Sequence, residues 1–153
     1  MPTPLAIDEG KLLGIEIGFD RFESRERIVT LNPAWVELLT SGIANQADIQ
    51  EVVENSDHAS WLNPAIAEGT YYVHARSVKP EARGIRVGMQ LLFNALESAR
   101  QQGFRKLQLD VLSDNSAAHF CYSMGLSLLV EFRAPIPQQY GAPPEWRIGI
   151  NLE

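Results

Sequence analysis

The segment Arg83–Gly84–Ile85–Arg86–Val87–Gly88 places two arginines and two glycines directly before an apolar run with helical spacing. Glycines leave backbone N–H groups accessible to a ligand, and the N-terminus of a helix carries a partial positive charge. Guanidinium groups add donors that bind phosphate oxygens. The segment therefore predicts a site for a phosphate-bearing ligand, and the alternative is an ordinary tight connection between a strand and a helix.

Two common phosphate-binding motifs do not fit this segment. No Gly-Lys-Ser/Thr follows the glycines, as a nucleoside-triphosphate loop requires. The two glycines also lack the three-glycine spacing of a dinucleotide site. A different phosphate-bearing ligand is therefore expected.

Charge is unevenly distributed along the 153 residues, which are enough for one domain. The chain carries a net charge of −6, which argues against a general nucleic-acid binder. Between Arg76 and Lys106, however, seven of the thirteen basic residues stand against two acidic ones, a local charge of +5 that leaves −11 for the rest. A cationic segment in an acidic protein favours an anionic ligand, and the acidic surroundings suit a cationic second substrate.

The remaining composition points to the cytoplasm. The single cysteine, Cys121, cannot form an internal disulfide, and the start MPTPLAIDEG lacks the pattern of a secretion signal. No stretch approaches the roughly 18 apolar residues of a membrane-spanning helix. We therefore expect a soluble, cytoplasmic protein with no membrane partner.

Hydrophobic periodicity predicts the elements that hold the segment. Strands are predicted over KLLGIEIGF (11–19), RERIVTL (25–31, its hairpin partner), TYYVHARSV (70–78), KLQLDVL (106–112), LSLLVEF (126–132) and WRIGINL (146–152). Helices are predicted in an insertion over 32–69, from Gly88 to a stop at Gly103, and over about 115–124, while 134–144 forms a proline-rich loop. This order predicts a mixed α/β sheet covered by helices.

The central segment resembles the acyl-coenzyme A motif of the GNAT superfamily of N-acetyltransferases. The matching residues are Val78 and Pro80 at a strand end, then Arg83, Arg86 and Gly88, then the paired leucines Leu91 and Leu92. The stretch LQLDVLSDNSAAHFCYSMGL resembles the family's next strand and helix, although Leu126 stands where an aromatic residue is usual. The resemblance implies a single GNAT-like domain over 1–153, with a mostly antiparallel sheet and a helical insertion before the central strand.

The same resemblance implies an activity and a cofactor site. It implies transfer of an acetyl group from acetyl-coenzyme A to a primary amine of a small molecule or peptide, by direct attack on the thioester. The pantetheine arm is expected beside Arg76, Ser77 and Val78, and the diphosphate at the backbone of Arg83, Gly84, Ile85, Arg86, Val87, Gly88 and Met89. Asn115 corresponds to the asparagine of the family's motif and is therefore also expected to bind the cofactor.

Two departures from the family pattern affect these expectations. Arg86 occupies a position usually held by glycine, so it is expected to add a guanidinium contact while the backbone N–H stays available. KLLGIEIGF resembles the family's second strand, which implies that the opening strand and two helices are missing. An exposed sheet edge would follow, so a homodimer is expected. The alternative function is a non-catalytic acyl-coenzyme A sensor or assembly module.

The catalytic residues are less well defined by the sequence. The family's proton donor is commonly a tyrosine on the second helix of the motif, which corresponds to Tyr122 by counting from Asn115 and to Cys121 by counting back from Gly125. A phenol stays protonated at neutral pH and can protonate a thiolate, which favours Tyr122. The candidates for the base are His74, Asp110 and a water relayed to a backbone carbonyl. His58, His74 and His119 show no metal-ligand spacing, so no metal is expected.

Overall fold

The computed structural model describes residues 5–30, 32–59 and 65–152. The elements are β1 (Leu5–Asp8), β2 (Lys11–Phe19), α1 (Arg21–Thr30), α2 (Asn32–Thr40), α3 (Gln46–Ala59), β3 (Thr70–Val78), α4 (Val87–Gln101), β4 (Lys106–Leu112), α5 (Ala117–Ser123), β5 (Ser127–Phe132), α6 (Pro135–Gln139) and β6 (Glu145–Asn151). A 3-10 turn over Pro80–Ala82 joins β3 to the loop before α4.

Six strands form one sheet in the order β1-β2-β3-β4-β6-β5. The pair β3/β4 is parallel and every other pair is antiparallel, which confirms the predicted mixed, mostly antiparallel sheet. Pairing between β3 and β4 covers only Thr70–Val73 with Lys106–Leu109. The remaining halves of these two strands are unpaired with each other, so a gap opens in the middle of the sheet.

A β-bulge at His74 changes the direction of the side chains along β3. Ile17 of β2 pairs with Ala75 and Gly18 pairs with Val73, which leaves His74 without a partner in the ladder. Because strand side chains alternate between faces, the extra residue shifts the alternation by one. Arg76 therefore lies on the same face as Val73, the face covered by α4 and α5.

The core lies between the sheet and these two helices. The apolar positions of α4, spaced as a helix face requires, are all buried: Leu91, Leu92, Ala95, Leu96 and Ala99. All of them except Leu91 pack with side chains of β3, β4, β6 and α5 in one cluster. The left-handed Gly103, at φ 77°, follows the end of α4, as the sequence predicted for a helix stop. This packing fixes the start of α4 beside the gap between β3 and β4.

The prediction of a strand over 25–31 is wrong. Residues Arg21–Thr30 form helix α1, and Leu31 lies outside the described residues. The side chain of Asp20 caps this helix, since its Oδ1 accepts hydrogen bonds from the N–H groups of Phe22 at 2.9 Å and Glu23 at 2.8 Å. These two hydrogen bonds satisfy N–H groups of the first turn and so stabilise the helix.

The sequence reading also missed two short elements. Strand β1 precedes KLLGIEIGF and pairs with it, so that segment is the second strand of the sheet. Helix α6 lies inside the proline-rich stretch, and Pro135 stands in its first turn, where a missing N–H costs nothing. The helices α2 and α3 confirm the helical insertion, although helical structure already begins at Arg21.

Candidate functional site

A cavity of about 530 Å³ lies where β3 and β4 diverge. Its walls are formed by Arg76, Ser77, Val78, Arg83, Gly88, Asn115, Ser116, Ala117 and Phe120. The first six of these residues are sequence-predicted cofactor residues, drawn from the end of β3, the turn before α4 and the loop before α5. The structure therefore brings together residues that lie up to forty positions apart along the chain.

A second cavity of about 330 Å³ adjoins the first and shares Val78, Arg83, Gly88 and Phe120 with it. Its other walls are Ala82, Gly84, Arg86, Val87 and Met89, so it follows the turn into α4. Of the predicted segment, only Ile85 lines neither cavity, and its side chain is 63% exposed. Both volumes fall in the range of small-molecule sites.

The backbone at the start of α4 is open toward these cavities. The N–H groups from Gly84 to Met89 form no hydrogen bond with the residues that the structure describes, and the first N–H of the helix to be paired is that of Gln90, which donates to Arg86 O at 3.0 Å. Gly84 and Arg86 both adopt left-handed conformations, with φ of 81° and 71°. This arrangement provides several N–H donors at the positive end of a helix dipole, as an anion site requires.

Arg83 and Arg76 place guanidinium groups at the same cavity. Arg83 Nε donates to Val78 O at 3.3 Å, which holds its side chain against the end of β3. Arg76 lies deeper, with its guanidinium 5.1 Å from the centre of the Phe120 ring. Phe120 lines both cavities and was not singled out in the sequence, where its neighbours at 121 and 122 drew attention.

Glu16 is a second residue that the sequence reading missed. It lies opposite Arg76 in the β2/β3 ladder and is 0% exposed, and its Oε2 is 3.9 Å from Arg76 Nη1. Burial raises the pKa of this carboxyl to about 7, although the positive charge of Arg76 opposes the rise. A charged residue inside the apolar strand KLLGIEIGF was the available signal.

Tyr122 and Cys121 occupy different surroundings on α5. Cys121 is fully buried, and its Sγ is 3.8 Å from Arg76 Nη2. Burial raises the pKa of the Cys121 thiol, against the effect of Arg76. Tyr122 is half-buried and packs on Trp146, with ring centres 6.4 Å apart. Neither residue lines either cavity.

The side chain of Asn115 has a structural partner. Its Oδ1 accepts a hydrogen bond from the N–H of Ala117 at 2.9 Å, so it supports the first turn of α5. Asn115 nevertheless forms part of the cavity wall. Supporting the helix and contacting a ligand are compatible roles, since the side-chain oxygen accepts the hydrogen bond from Ala117 and the amide N–H groups can still donate to a ligand.

The opposite face of the sheet carries a buried polar network at the same level as the gap. Asp110 accepts two hydrogen bonds from Arg147, at 2.8 and 2.7 Å, and one from the Tyr72 hydroxyl at 2.9 Å. Burial and the Asp110 carboxylate raise the pKa of Tyr72. Because the Asp110 carboxylate is engaged by a buried guanidinium, it is poorly placed to act as a base.

His74 and Glu145 lie near this network. The His74 ring is 5.3 Å from Phe19 and 6.3 Å from Tyr72, and the residue is exposed. Burial first, and then the charge of Asp110, raise the pKa of Glu145 to about 7. Two other tyrosines differ in exposure, since Tyr71 lies in the core and Tyr140 is exposed.

Two properties concern metals and membranes. In the described ranges, no three His, Cys, Asp or Glu side chains lie close enough to hold a metal ion. None of the helices in this part of the chain has the length and apolar character needed to cross a bilayer.

The fold and the site define a class of protein: an α/β protein whose central parallel strands diverge beside a helix N-terminus that is open to an anionic ligand. The sequence profile of the Acetyltransferase (GNAT) family matches residues 50–126, half of the chain. The chain belongs to this family, whose members use acetyl-coenzyme A. No curated protein matches the chain in sequence.

Solved structures of acetyltransferases share the fold. The ribosomal-protein-S18-alanine N-acetyltransferase from Escherichia coli is 14% identical with a TM-score of 0.57, over 96% of this chain and 66% of that chain. A Bacillus subtilis acetyltransferase in complex with CoA is 11% identical with a TM-score of 0.62, over 97% and 75%. The Drosophila melanogaster polyamine N-acetyltransferase is 17% identical with a TM-score of 0.55, over 97% and 73%. The chain thus spans just under two thirds of the length of the first of these.

Proposed function

We propose that the protein is an acetyl-coenzyme A dependent N-acetyltransferase that acts on a primary amine of a small molecule or peptide. The observation that carries the proposal is the cavity between the diverging strands, which is lined by Arg76, Ser77, Val78, Arg83, Gly88 and Asn115. It lies beside a helix start with open N–H groups. We treat residues 1–153 as one domain with this activity.

The residues present fit the cofactor. The N–H groups of Gly84 to Met89, with the guanidinium groups of Arg83 and Arg86, suit a diphosphate. The unpaired half of β3, from Arg76 to Val78, offers backbone groups for the amides of the pantetheine arm. When bound, acetyl-coenzyme A supplies an acetyl group on a thioester, whose carbon forms a bond to the amine nitrogen while the carbon–sulfur bond breaks.

Within the chain, we propose Tyr122 as the proton donor to the departing thiolate and Cys121 as the alternative. Tyr122 is only half-buried, whereas Cys121 is fully enclosed in the core. Tyr122 also packs on Trp146, which pairs with Val111 on the diverging half of β4. A Tyr122→Phe variant is expected to keep its affinity for coenzyme A and to lose turnover by about 10²-fold or more.

An unchanged turnover rate in Tyr122→Phe would remove this assignment, and a Cys121→Ala variant would then test the alternative. His74 stays a weak candidate for the base. The His74 ring lies on the sheet face that carries Tyr72 and Asp110, opposite the cofactor cavity. An amine would approach the thioester from this face. Replacing His74 by Gln and finding the same pH dependence would exclude it.

The test of the main proposal is calorimetry followed by a turnover assay. Coenzyme A is expected to bind, and pantetheine, which lacks the phosphates, to bind at least tenfold more weakly. No binding of coenzyme A at millimolar concentration would refute the proposal. Release of thiol from acetyl-coenzyme A across a panel of amines then separates an enzyme from a binding module, and such a panel should include peptide N-termini and polyamines.

A non-catalytic acyl-coenzyme A sensor is the second candidate. The observation that favours it is that neither Tyr122 nor Cys121 lines the described cavities. Binding without thiol release for any amine would support it.

We further propose a homodimer located in the cytoplasm. Strand β1 is at an edge of the sheet and exposes 51% of Leu5 and 59% of Ile7, and apolar edge strands tend to be paired or covered. Light scattering at micromolar protein should give twice the mass of the chain, and the mass of one chain would contradict the dimer.

A further inference from the structure

Glu16 is a buried carboxyl that the acetyl-transfer proposal leaves unused. It is 0% exposed, and neither of its carboxylate oxygens accepts a hydrogen bond from the residues that the structure describes. A carboxylate in such a place is costly unless a nearby charge compensates it. The compensating charge is Arg76, which stands directly across the β2/β3 ladder.

Arg76 itself is held by several long contacts. Nη1 is 3.9 Å from Glu16 Oε2 and 3.5 Å from Gly88 O, and Nη2 is 3.8 Å from Cys121 Sγ. None of these is a short hydrogen bond, although a guanidinium carries five N–H donors. Since Arg76 also lines the cavity, a ligand with carbonyl oxygens can complete its hydrogen bonding.

We propose that Glu16 is a positioning residue for the cofactor: it holds the Arg76 guanidinium at the cavity wall, where its N–H groups donate to the amide carbonyls of a pantetheine arm. This inference rests on the proposed function. It gives strand β2, which lies outside the acyl-coenzyme A motif, a part in cofactor affinity. Glu16 acts through Arg76 and is not expected to touch the ligand.

The ionisation of Glu16 makes this role sensitive to pH. Its pKa lies at about 7, so the ionised fraction rises from about one tenth at pH 6 to about nine tenths at pH 8. The charged group that faces Glu16 is Arg76 of β3, and Cys121 of α5 contacts the same guanidinium. From α4, the apolar Val87 and Leu91 lie over Gly14, which is next to Glu16 on the same face of β2. If only the ionised form holds Arg76, affinity for coenzyme A rises about tenfold over this range.

The experiment is calorimetry with coenzyme A at pH 6, 7 and 8 on the wild type, Glu16→Gln and Glu97→Gln. Glu97 undergoes the same chemical change at a partly exposed position on α4, far along the helix from the cavity, where it pairs with Arg100, and it serves as the matched control. The 3′-phosphate of coenzyme A also titrates near pH 6, but it does so equally for all three proteins.

We expect Glu16→Gln to lack the wild-type rise in affinity, so that its deficit relative to the wild type is about tenfold larger at pH 8 than at pH 6, while Glu97→Gln follows the wild type throughout. Identical profiles for Glu16→Gln and the wild type would overturn the inference. Circular dichroism and thermal unfolding check that each variant is folded. If Glu16→Gln fails to fold, Arg76→Lys replaces it, and an unchanged affinity at pH 8 in that variant overturns the inference equally.

Failure of the proposed function gives a different result. A wild type that binds no coenzyme A at any pH refutes the acetyltransferase proposal itself. A wild type that binds, with a profile that Glu16→Gln leaves unchanged, refutes only the role of Glu16.

Discussion

Arg86 combines backbone strain with a positive charge at the proposed cofactor site, so replacing it by glycine should change stability and cofactor affinity in opposite directions. Its φ of 71° lies in the left-handed region, which costs a residue with a Cβ about 1 to 2 kcal/mol. Glycine removes that cost but loses about 0.5 to 1 kcal/mol through the greater freedom of the unfolded chain. The net gain for Arg86→Gly is about 0.5 to 1 kcal/mol, a rise in Tm of about 2 to 3 °C for a chain of this size.

Affinity for coenzyme A should fall in the same variant. Arg86 is exposed and lines the cavity at the helix start, and losing one charge-assisted contact there is worth about 1 kcal/mol, or about fivefold in Kd. Thermal unfolding and calorimetry measure the two effects on one sample. Two outcomes refute the reasoning: a Tm that falls or does not change, or an affinity that stays at the wild-type value.

Two matched variants separate the contributions. Arg86→Ala keeps the left-handed strain and loses the charge, so its affinity should fall without a gain in stability. Gly84→Ala introduces strain alone, because φ is +81° and an added Cβ would meet no atom within 4 Å. We expect it to lose about 1 to 2 kcal/mol of stability.

Two further predictions concern buried charges. Asp110→Asn removes the carboxylate that accepts two hydrogen bonds from the buried Arg147 guanidinium and should lower the free energy of unfolding by about 3 to 5 kcal/mol in urea at pH 7, whereas Tyr72→Phe should cost about 1 kcal/mol; equal losses would contradict the ion-pair account. Glu16 has a folded pKa raised to about 7, so the folded state binds the extra proton and wild-type stability falls as pH rises from about 4.5 to 7. Glu16→Gln should therefore gain about 2 to 3 kcal/mol relative to the wild type between pH 5 and pH 8, measured by urea unfolding, and a constant difference would contradict it.

The strands of the sheet were predictable where alternation and β-branched residues act over a long enough stretch. Three predicted strands, over 11–19, 70–78 and 106–112, have the bounds that the structure shows. The strand prediction for 25–31 was wrong because most of this segment belongs to helix α1, which begins at a cap, Asp20, outside the segment. Strand β1 was missed because its four residues are too short to show a period and depend on pairing with β2.

The open start of α4 was predictable from the sequence because it is a local feature. A phosphate site at a helix start is built from consecutive backbone groups, so glycines and arginines in one segment are enough to indicate it. The orientations of the Tyr122 and Cys121 side chains were not predictable, because adjacent helix positions differ by about 100° of rotation and only the packing of α5 decides which of them faces the core.

The Glu16–Arg76 pair depends on still less visible information. Both side chains reach the same face only because the bulge at His74 shifts the alternation of β3 by one residue. In a regular strand, Arg76 would share the face of Tyr72 and His74, Glu16 would be buried without a cation, and the cavity would lose its deepest guanidinium. The bulge and the gap between β3 and β4 begin at the same residue, so one local irregularity both opens the site and turns a charged side chain into it.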